Sequence, residues 1–308
     1  VTRTGLERVR RILFLSLSPV GDVVMTTPVL EALHQACPGA VVDIIADQRS
    51  SQLLIHCPYR GEILHKDKDR LLRGVLPLLL TLWRRRYDLI VDLRTDGLAY
   101  LFRGRRRLTK WHAVPYGPHA VEVMMGVIRK IQGDAPIPPC KLWLSQEERD
   151  YAAAALAHLP PGRWLVLGPG CGGSEPQKVW PEQHYIALAD ALKDVINAVI
   201  LVGSPGDAAL TAAIAHGLTL PHVDLAGATT LLQAAAVMER ASLFVGSDSG
   251  LGHVAAAVGT PTLSFFSTDR PERCRPWGNK AAWLLHESGD ARLIPVSEAE
   301  TAIRTQLL

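Results

Sequence analysis

The chain has only five cysteines, Cys37, Cys57, Cys140, Cys171 and Cys274, and none stands in a CxxC pair or a Cys/His cluster. An odd, scattered set excludes a disulfide framework and suits a reducing cytoplasm. Histidine offers no metal spacing either: the eleven residues form no HExxH-like pattern, and Asp43, Asp47, Asp92 and Asp96 belong to separate strand ends. No metal is expected. Long apolar runs are also missing. The longest, Val75 to Trp83, contains Pro77 and falls far short of the roughly 20 residues that span a bilayer. No secretory leader is legible before the first strand, so a cytoplasmic protein is expected. The basic residues come without a nucleic-acid motif or aromatic platform, and nucleic acid is not an expected partner.

What is present is the composition of a folded α/β protein: 48% hydrophobic, 20% charged and 25 glycines in 308 residues. That length suits two domains. Residues 1–150 carry 23 Lys and Arg against 16 Asp and Glu, about +7, and the remainder is about −4; the first half should attract an anionic partner.

Apolar runs of the kind buried on both faces of a parallel sheet recur at Ile12 to Ser18, Val41 to Ala46, Ile63 to Leu64, Leu89 to Leu93 and Trp111 to Val114, with helical patterns between them. The stretch QGDAPIPPC at 132–140 breaks the pattern with three prolines and a glycine, as a linker does. A second series follows at Trp164 to Leu167, Val199 to Val202, Val223 to Leu225, Leu243 to Val245, Thr262 to Phe266 and Trp283 to His286. This alternation predicts two doubly wound sheets in tandem, residues 1–140 and 141–308.

Ligands in such sheets bind beyond the carboxyl ends of strands, and three strand-to-helix turns carry unusual chemistry. In SLSPVGDVV, from Ser16, Asp22 stands at a helix start, where on spacing alone an N-cap is the better reading. In LGPGCGGSEPQKVWPEQHY, from Leu167, the glycines permit close approach of a ligand, and Ser174 and Lys178 offer a hydroxyl and a cation; the pattern is not a P-loop and reads equally as a surface loop. In GSDSGLGHVAAAVGTP, from Gly246, free N–H groups after Ser249 and Gly250 favour an anion, with Asp248 and His253 close by; a capped helix with a packed histidine accounts for the same residues.

Taken together, VGDVVMTTPVLEALHQACPGAVVDIIAD, QKVWPEQHY and VGSDSGLGHVAAAVGTPTLSFF resemble the heptosyltransferases of glycosyltransferase family 9, over nearly the whole chain. The resemblance implies a GT-B fold, two Rossmann-like parallel-sheet domains facing across a cleft, the first for acceptor and the second for sugar nucleotide, with packing of the last helix on the first domain as one option. It implies inverting transfer of heptose from ADP-heptose, a substrate and not a cofactor, to the anionic lipopolysaccharide inner core, without metal and peripherally at the inner membrane. Asp22 matches the catalytic base, Lys178 the lysine on the donor phosphates, and Asp248, Ser249, Gly250 and His253 the cradle of diphosphate and sugar. Ser174 joins the donor set, and Asp207 is a weaker match for a ribose-binding carboxylate. Arg105, Arg106 and Arg107 are the candidates for acceptor phosphates, with a solvated basic face as the alternative. One departure bears on donor identity: Phe266, Ser267, Thr268 and Asp269 stand where the family commonly has Phe-Gly-Pro-Thr, which replaces a close backbone approach by side chains and adds a negative charge at Asp269. Rival readings are a GT-B transferase or epimerase using another nucleotide sugar, and a non-catalytic two-domain binding protein.

Overall fold

In a computed structural model, which describes residues 6–65, 78–94, 97–172 and 175–306, the chain divides into two units, Val1–Trp143 and Leu144–Leu308. The first is a five-stranded sheet in the order β3-β2-β1-β4-β5, with every neighbouring pair parallel. Its strands are β1 (Arg11–Leu15), β2 (Val41–Ala46), β3 (Arg60–His65), β4 (Tyr87–Asp92) and β5 (Gly104–Thr109). The central strands β1, β2 and β4 are buried almost throughout, as continuous apolar runs require.

Strand β1 leads into helix α1 (Val20–Ala36), which buries ten residues, Pro28 among them. Proline cannot donate to the carbonyl four residues back. The Thr27 hydroxyl donates to that carbonyl, of Val24, at 2.7 Å, so the helix continues through the proline. A short helix α2 (Ala120–Met125) opens with a capping box between His119 and Glu122.

The expected strand at Trp111 to Val114 is not formed. A 3₁₀ turn occupies Lys110–His112, Trp111 and Val114 are exposed, and the fifth strand is the preceding GRRRLT. An edge strand pairs on one side only, so basic side chains are accommodated where an interior strand would exclude them. Of the apolar run Val75 to Trp83, residues 75–77 lie outside the described residues.

The second unit contains six parallel strands in the order β11-β10-β9-β6-β7-β8. They are β6 (Trp164–Gly168), β7 (Ala198–Leu201), β8 (His222–Asp224), β9 (Leu243–Ser247), β10 (Thr262–Phe266) and β11 (Ala281–Leu285). Counted within the unit, this is the 3-2-1-4-5-6 order of dinucleotide-binding sheets, whose topological switch point falls between β6 and β9. The longer helices are α3 (Gln146–Leu156), α4 (Glu182–Ala191), α5 (Ala208–Gly217), α6 (Leu231–Glu239), α7 (Gly250–Ala257) and α8 (Val296–Gln306). Trp180 is fully buried here, packed on Tyr185 and Phe265, with its indole N–H donating to the Ile294 carbonyl at 2.9 Å. The last helix, α8, packs in its own unit: Ala302 and Ile303 join this core, and Arg304 is paired with Asp194 on the α4 side at 2.7 Å.

Candidate active site

At the switch point β6 and β9 run side by side, with Gly168 opposite Gly246. Both glycines are sterically required. A Cβ on Gly246 would strike the Gly168 carbonyl oxygen, and one on Gly168 would lie 2.7 Å from the Phe244 ring. Beyond this pair the chains part, and the Ser247 hydroxyl ties them by donating to the Pro169 carbonyl at 2.8 Å, with the Tyr185 hydroxyl 3.5 Å away. The crevice so formed is lined by the loop after β6, the end of β9 and the loop after β10.

Asp248 stands at the end of β9, its N–H donating to the Phe265 carbonyl at 2.9 Å. Ser249 is the N-cap residue of α7 by backbone geometry, but its side chain makes no capping bond; its Oγ is shielded from solvent and has no hydrogen-bond partner. A capped helix start therefore does not account for this serine. A hydroxyl without a partner beside the N–H groups of the first turn is a set of donors suited to an anion. His253 is buried one turn further along.

Lys178 ends the turn Pro176–Lys178 after β6. Its ammonium lies 3.0 Å from Asp269 Oδ2 and 3.5 Å from Glu175 Oε2. Since β9 lies between β6 and β10 in the sheet, this ion pair bridges the loops on either side of Asp248. Electrostatics confirm the grouping: burial, and then the nearby charge of Asp269, push the Asp248 carboxyl up to about 7, with Lys178 opposing. The hydrogen bond to Asp269 in turn holds the Lys178 ammonium above its ordinary range. Asp269 and Glu175 had no site role in the sequence reading, beyond the note that Asp269 adds a negative charge.

Asp207 ends the 3₁₀ turn Pro205–Asp207 that follows β7. Its Oδ2 accepts from the Ser204 N–H and hydroxyl, each at 2.7 Å, and its carboxylate leaves no room for a Cβ on Gly170 of the β6 loop. It closes its own turn and faces the crevice loop. Ser174 lies outside the described residues. Among the described residues no group of three or more His, Cys, Asp or Glu is arranged to hold a metal.

In the first unit Asp22 is the third residue of α1, partly exposed and not an N-cap; Pro19 holds that position. The loop before it is fixed from two sides. Ser50 Oγ donates to the Ser18 carbonyl at 2.7 Å, and Arg94 Nη1 to the Ser16 carbonyl at 3.3 Å. Asp43, by contrast, is structural: buried, it accepts from the Tyr87 hydroxyl at 2.9 Å, from Arg11 at 2.9 Å, from Arg85 at 3.3 Å and from the Glu62 N–H at 3.0 Å.

The three arginines of β5 do not form one set. Arg105 and Arg106 are exposed, the former 3.6 Å from Asp88. Arg107 donates to the Ala99, Gly104 and Phe102 carbonyls at 3.2, 3.1 and 2.6 Å, so it holds the strand to the turn before it.

Two Rossmann-like parallel sheets in tandem, the second with an anion-suited crevice at its switch point, are the architecture of the GT-B fold. The profile of glycosyltransferase family 9 (heptosyltransferase) matches residues 84–294, and the chain belongs to that family. It is 28% identical over 312 residues to lipopolysaccharide heptosyltransferase 3 of Escherichia coli, covering 90% of this chain and 89% of that one. Among solved structures, a glycosyltransferase family 9 protein of Veillonella parvula superposes with a TM-score of 0.83 at 18% identity, covering 98% of both chains. The E. coli heptosyltransferase WaaC with ADP-2-deoxy-2-fluoro heptose superposes at 0.76 and 20% identity, covering 96% of this chain and 99% of that one.

Proposed function

We propose that the protein transfers heptose from ADP-heptose to the lipopolysaccharide inner core, with inversion at the anomeric carbon, without a metal, and at the cytoplasmic surface of the inner membrane. The observation that carries this reading is the crevice after β6, β9 and β10, where Lys178, the unpartnered Ser249 hydroxyl and the first turn of α7 bring a cation and donors together. A sugar diphosphate is the anion that such a switch-point site takes. The WaaC relative was solved with a fluorinated ADP-heptose, which supports this donor over other nucleotide sugars.

In this reading Asp22 is the general base. It takes the proton of an acceptor hydroxyl as that oxygen bonds to the anomeric carbon, while the bond from carbon to the β-phosphate oxygen breaks and ADP leaves. Lys178 and the α7 N-terminus stabilise the charge that develops on the diphosphate. Asp248, His253 and Gly250 shape the sugar end, Asp207 and Ser174 belong to the donor side, and of the three β5 arginines the exposed Arg106 is left for the anionic acceptor, Arg107 being held by backbone carbonyls.

The test is ADP release with defined truncated lipopolysaccharide acceptors. A positioned base contributes about 10²- to 10⁴-fold, so Asp22→Asn should lose that much turnover while ADP binding is retained. Near-normal turnover in Asp22→Asn overturns the base assignment, and turnover with a different nucleotide sugar in preference to ADP-heptose overturns the donor.

A further inference from the structure

Arginines on an edge strand have a plain explanation, since they discourage another chain from adding to the sheet. That explanation does not reach the side chains around β5. Trp83, Tyr100, Leu101 and Trp111 are 57, 50, 51 and 57% exposed, and exposed aromatic rings beside an open edge invite association.

These side chains are organised. The rings of Tyr100 and Trp111 stack at 5.6 Å and 15°, and the Arg103 guanidinium lies 5.1 Å from the centre of the Trp83 ring. Trp83, Tyr100 and Leu101, with Arg86, Arg103 and Arg105, line a groove of about 710 Å³. A contiguous apolar patch on a surface marks an interaction site, and the chemistry of this one selects its occupant. Tryptophan and tyrosine rings settle at the headgroup level of a bilayer, and arginine lays an aliphatic stem along apolar surface while its head meets phosphate. The charge is complementary too, for this half of the chain carries the excess of about +7.

We propose that this face docks the protein on an anionic phospholipid bilayer, with Trp83, Leu101 and Trp111 entering the headgroup layer and Arg86, Arg103 and Arg105 meeting lipid phosphates. The inference rests on the membrane-surface part of the proposed function and names the face that serves it. Arg107 also lines the groove, but its guanidinium is held by backbone carbonyls and it is not counted among the lipid contacts.

The experiment is co-sedimentation of the full chain with vesicles of phosphatidylglycerol and phosphatidylcholine, free of any glycolipid, at low and high salt. Binding is expected to the mixed vesicles, not to phosphatidylcholine alone, and to weaken with salt. Each basic residue near an anionic surface contributes about 1 kcal/mol, or about fivefold, so Arg86→Gln with Arg103→Gln should lower partitioning about 25-fold. Trp83→Ser with Leu101→Ser should lower it comparably, while Trp83→Phe keeps most of it; circular-dichroism melts identify any variant that has lost its fold. No binding to anionic vesicles, or wild-type binding by the folded serine variant, overturns the proposal. Binding only after lipopolysaccharide acceptor is added to the vesicles also overturns it, because the groove would then be an acceptor subsite. ADP release with a deacylated, water-soluble acceptor keeps the two readings apart: transfer without vesicle binding refutes docking alone, and vesicle binding without transfer refutes the catalytic reading alone.

Discussion

Replacing Asp248 by asparagine should stabilise the protein above pH 7 and do little below pH 4. The carboxyl rises from an ordinary 3.8 to about 7, first because it is buried and then because Asp269 places a second negative charge nearby. A folded-state pKa above the unfolded one means that the native protein holds the proton more tightly. The associated stability is fully present below about pH 4 and is lost as pH rises through 7. At 1.36 kcal/mol per pH unit the whole displacement corresponds to about 4 kcal/mol; the side chain is only partly shielded, and solvent screening lowers this to about 1–3 kcal/mol. Asparagine keeps the shape of the neutral acid and cannot ionise, so it mimics the protonated form. Urea or thermal unfolding of wild type and Asp248→Asn at pH 5, 6, 7 and 8 should show a gap that opens with pH, each 1 kcal/mol moving the Tm of a unit this size by about 2–4 °C. A gap of constant size from pH 5 to 8, or a variant less stable than wild type at pH 8, refutes the reasoning.

Removing Lys178 as Lys178→Gln takes away the ammonium that faces Asp269 and Glu175; ADP affinity should fall about 10- to 100-fold, the worth of one charged hydrogen bond, as read by calorimetry. Trp180→Ala opens the core of the second unit and strands the Ile294 carbonyl, and should cost about 3–5 kcal/mol in urea unfolding. Gly246→Ala forces a methyl against the Gly168 carbonyl oxygen, a backbone atom that cannot swing aside; a loss of about 1–3 kcal/mol is expected in the same assay. Asp43→Ala leaves Tyr87 and two arginines without their common acceptor and should cost about 3–5 kcal/mol.

The interior strands were legible because a strand buried on both faces must be apolar throughout, and Phe14, Ile44, Val166 and Phe265 each lie in such a run. Strand β5 was not, because GRRRLT has one paired side and no apolar signature, whereas Trp111 to Val114 carries aromatic and branched residues that end in solvent. The polar residues at the β9 turn could be picked out because they exceed what a cap needs, and the structure leaves Ser249 Oγ without the capping bond. The pairing of Lys178 with Asp269 had no local signal. Ninety-one residues separate them, and only the sheet order, with β9 between β6 and β10, brings their loops together. The arginine triplet reads as one motif in sequence, yet alternation along a strand turns Arg106 away from Arg105 and Arg107, and the carbonyls of the turn before it give Arg107 a different task from Arg105.

Charge balance in the crevice carries a further consequence. Lys178 faces Asp269 and Glu175, with Asp248 close to the pair, so with all carboxyls ionised the group is negative, the wrong sign for a diphosphate. The raised pKa of Asp248 eases that conflict by keeping it partly protonated near neutrality. Asp269 has the opposite effect, since its carboxylate occupies the ammonium a phosphate would use. Asp269→Asn should therefore tighten ADP by up to about fivefold, corresponding to the ~0.2–1 kcal/mol expected of one ion pair at a partly exposed site. It should also flatten the pH dependence of stability described for Asp248, because one of the two causes of that raised pKa is gone. Calorimetric titration of ADP and unfolding across pH 5–8 read the two effects on one variant. Unchanged or weaker ADP binding in Asp269→Asn, with the fold intact, means that Lys178 is not the ammonium that receives the diphosphate, and the donor cradle must then be rebuilt around the α7 N-terminus alone.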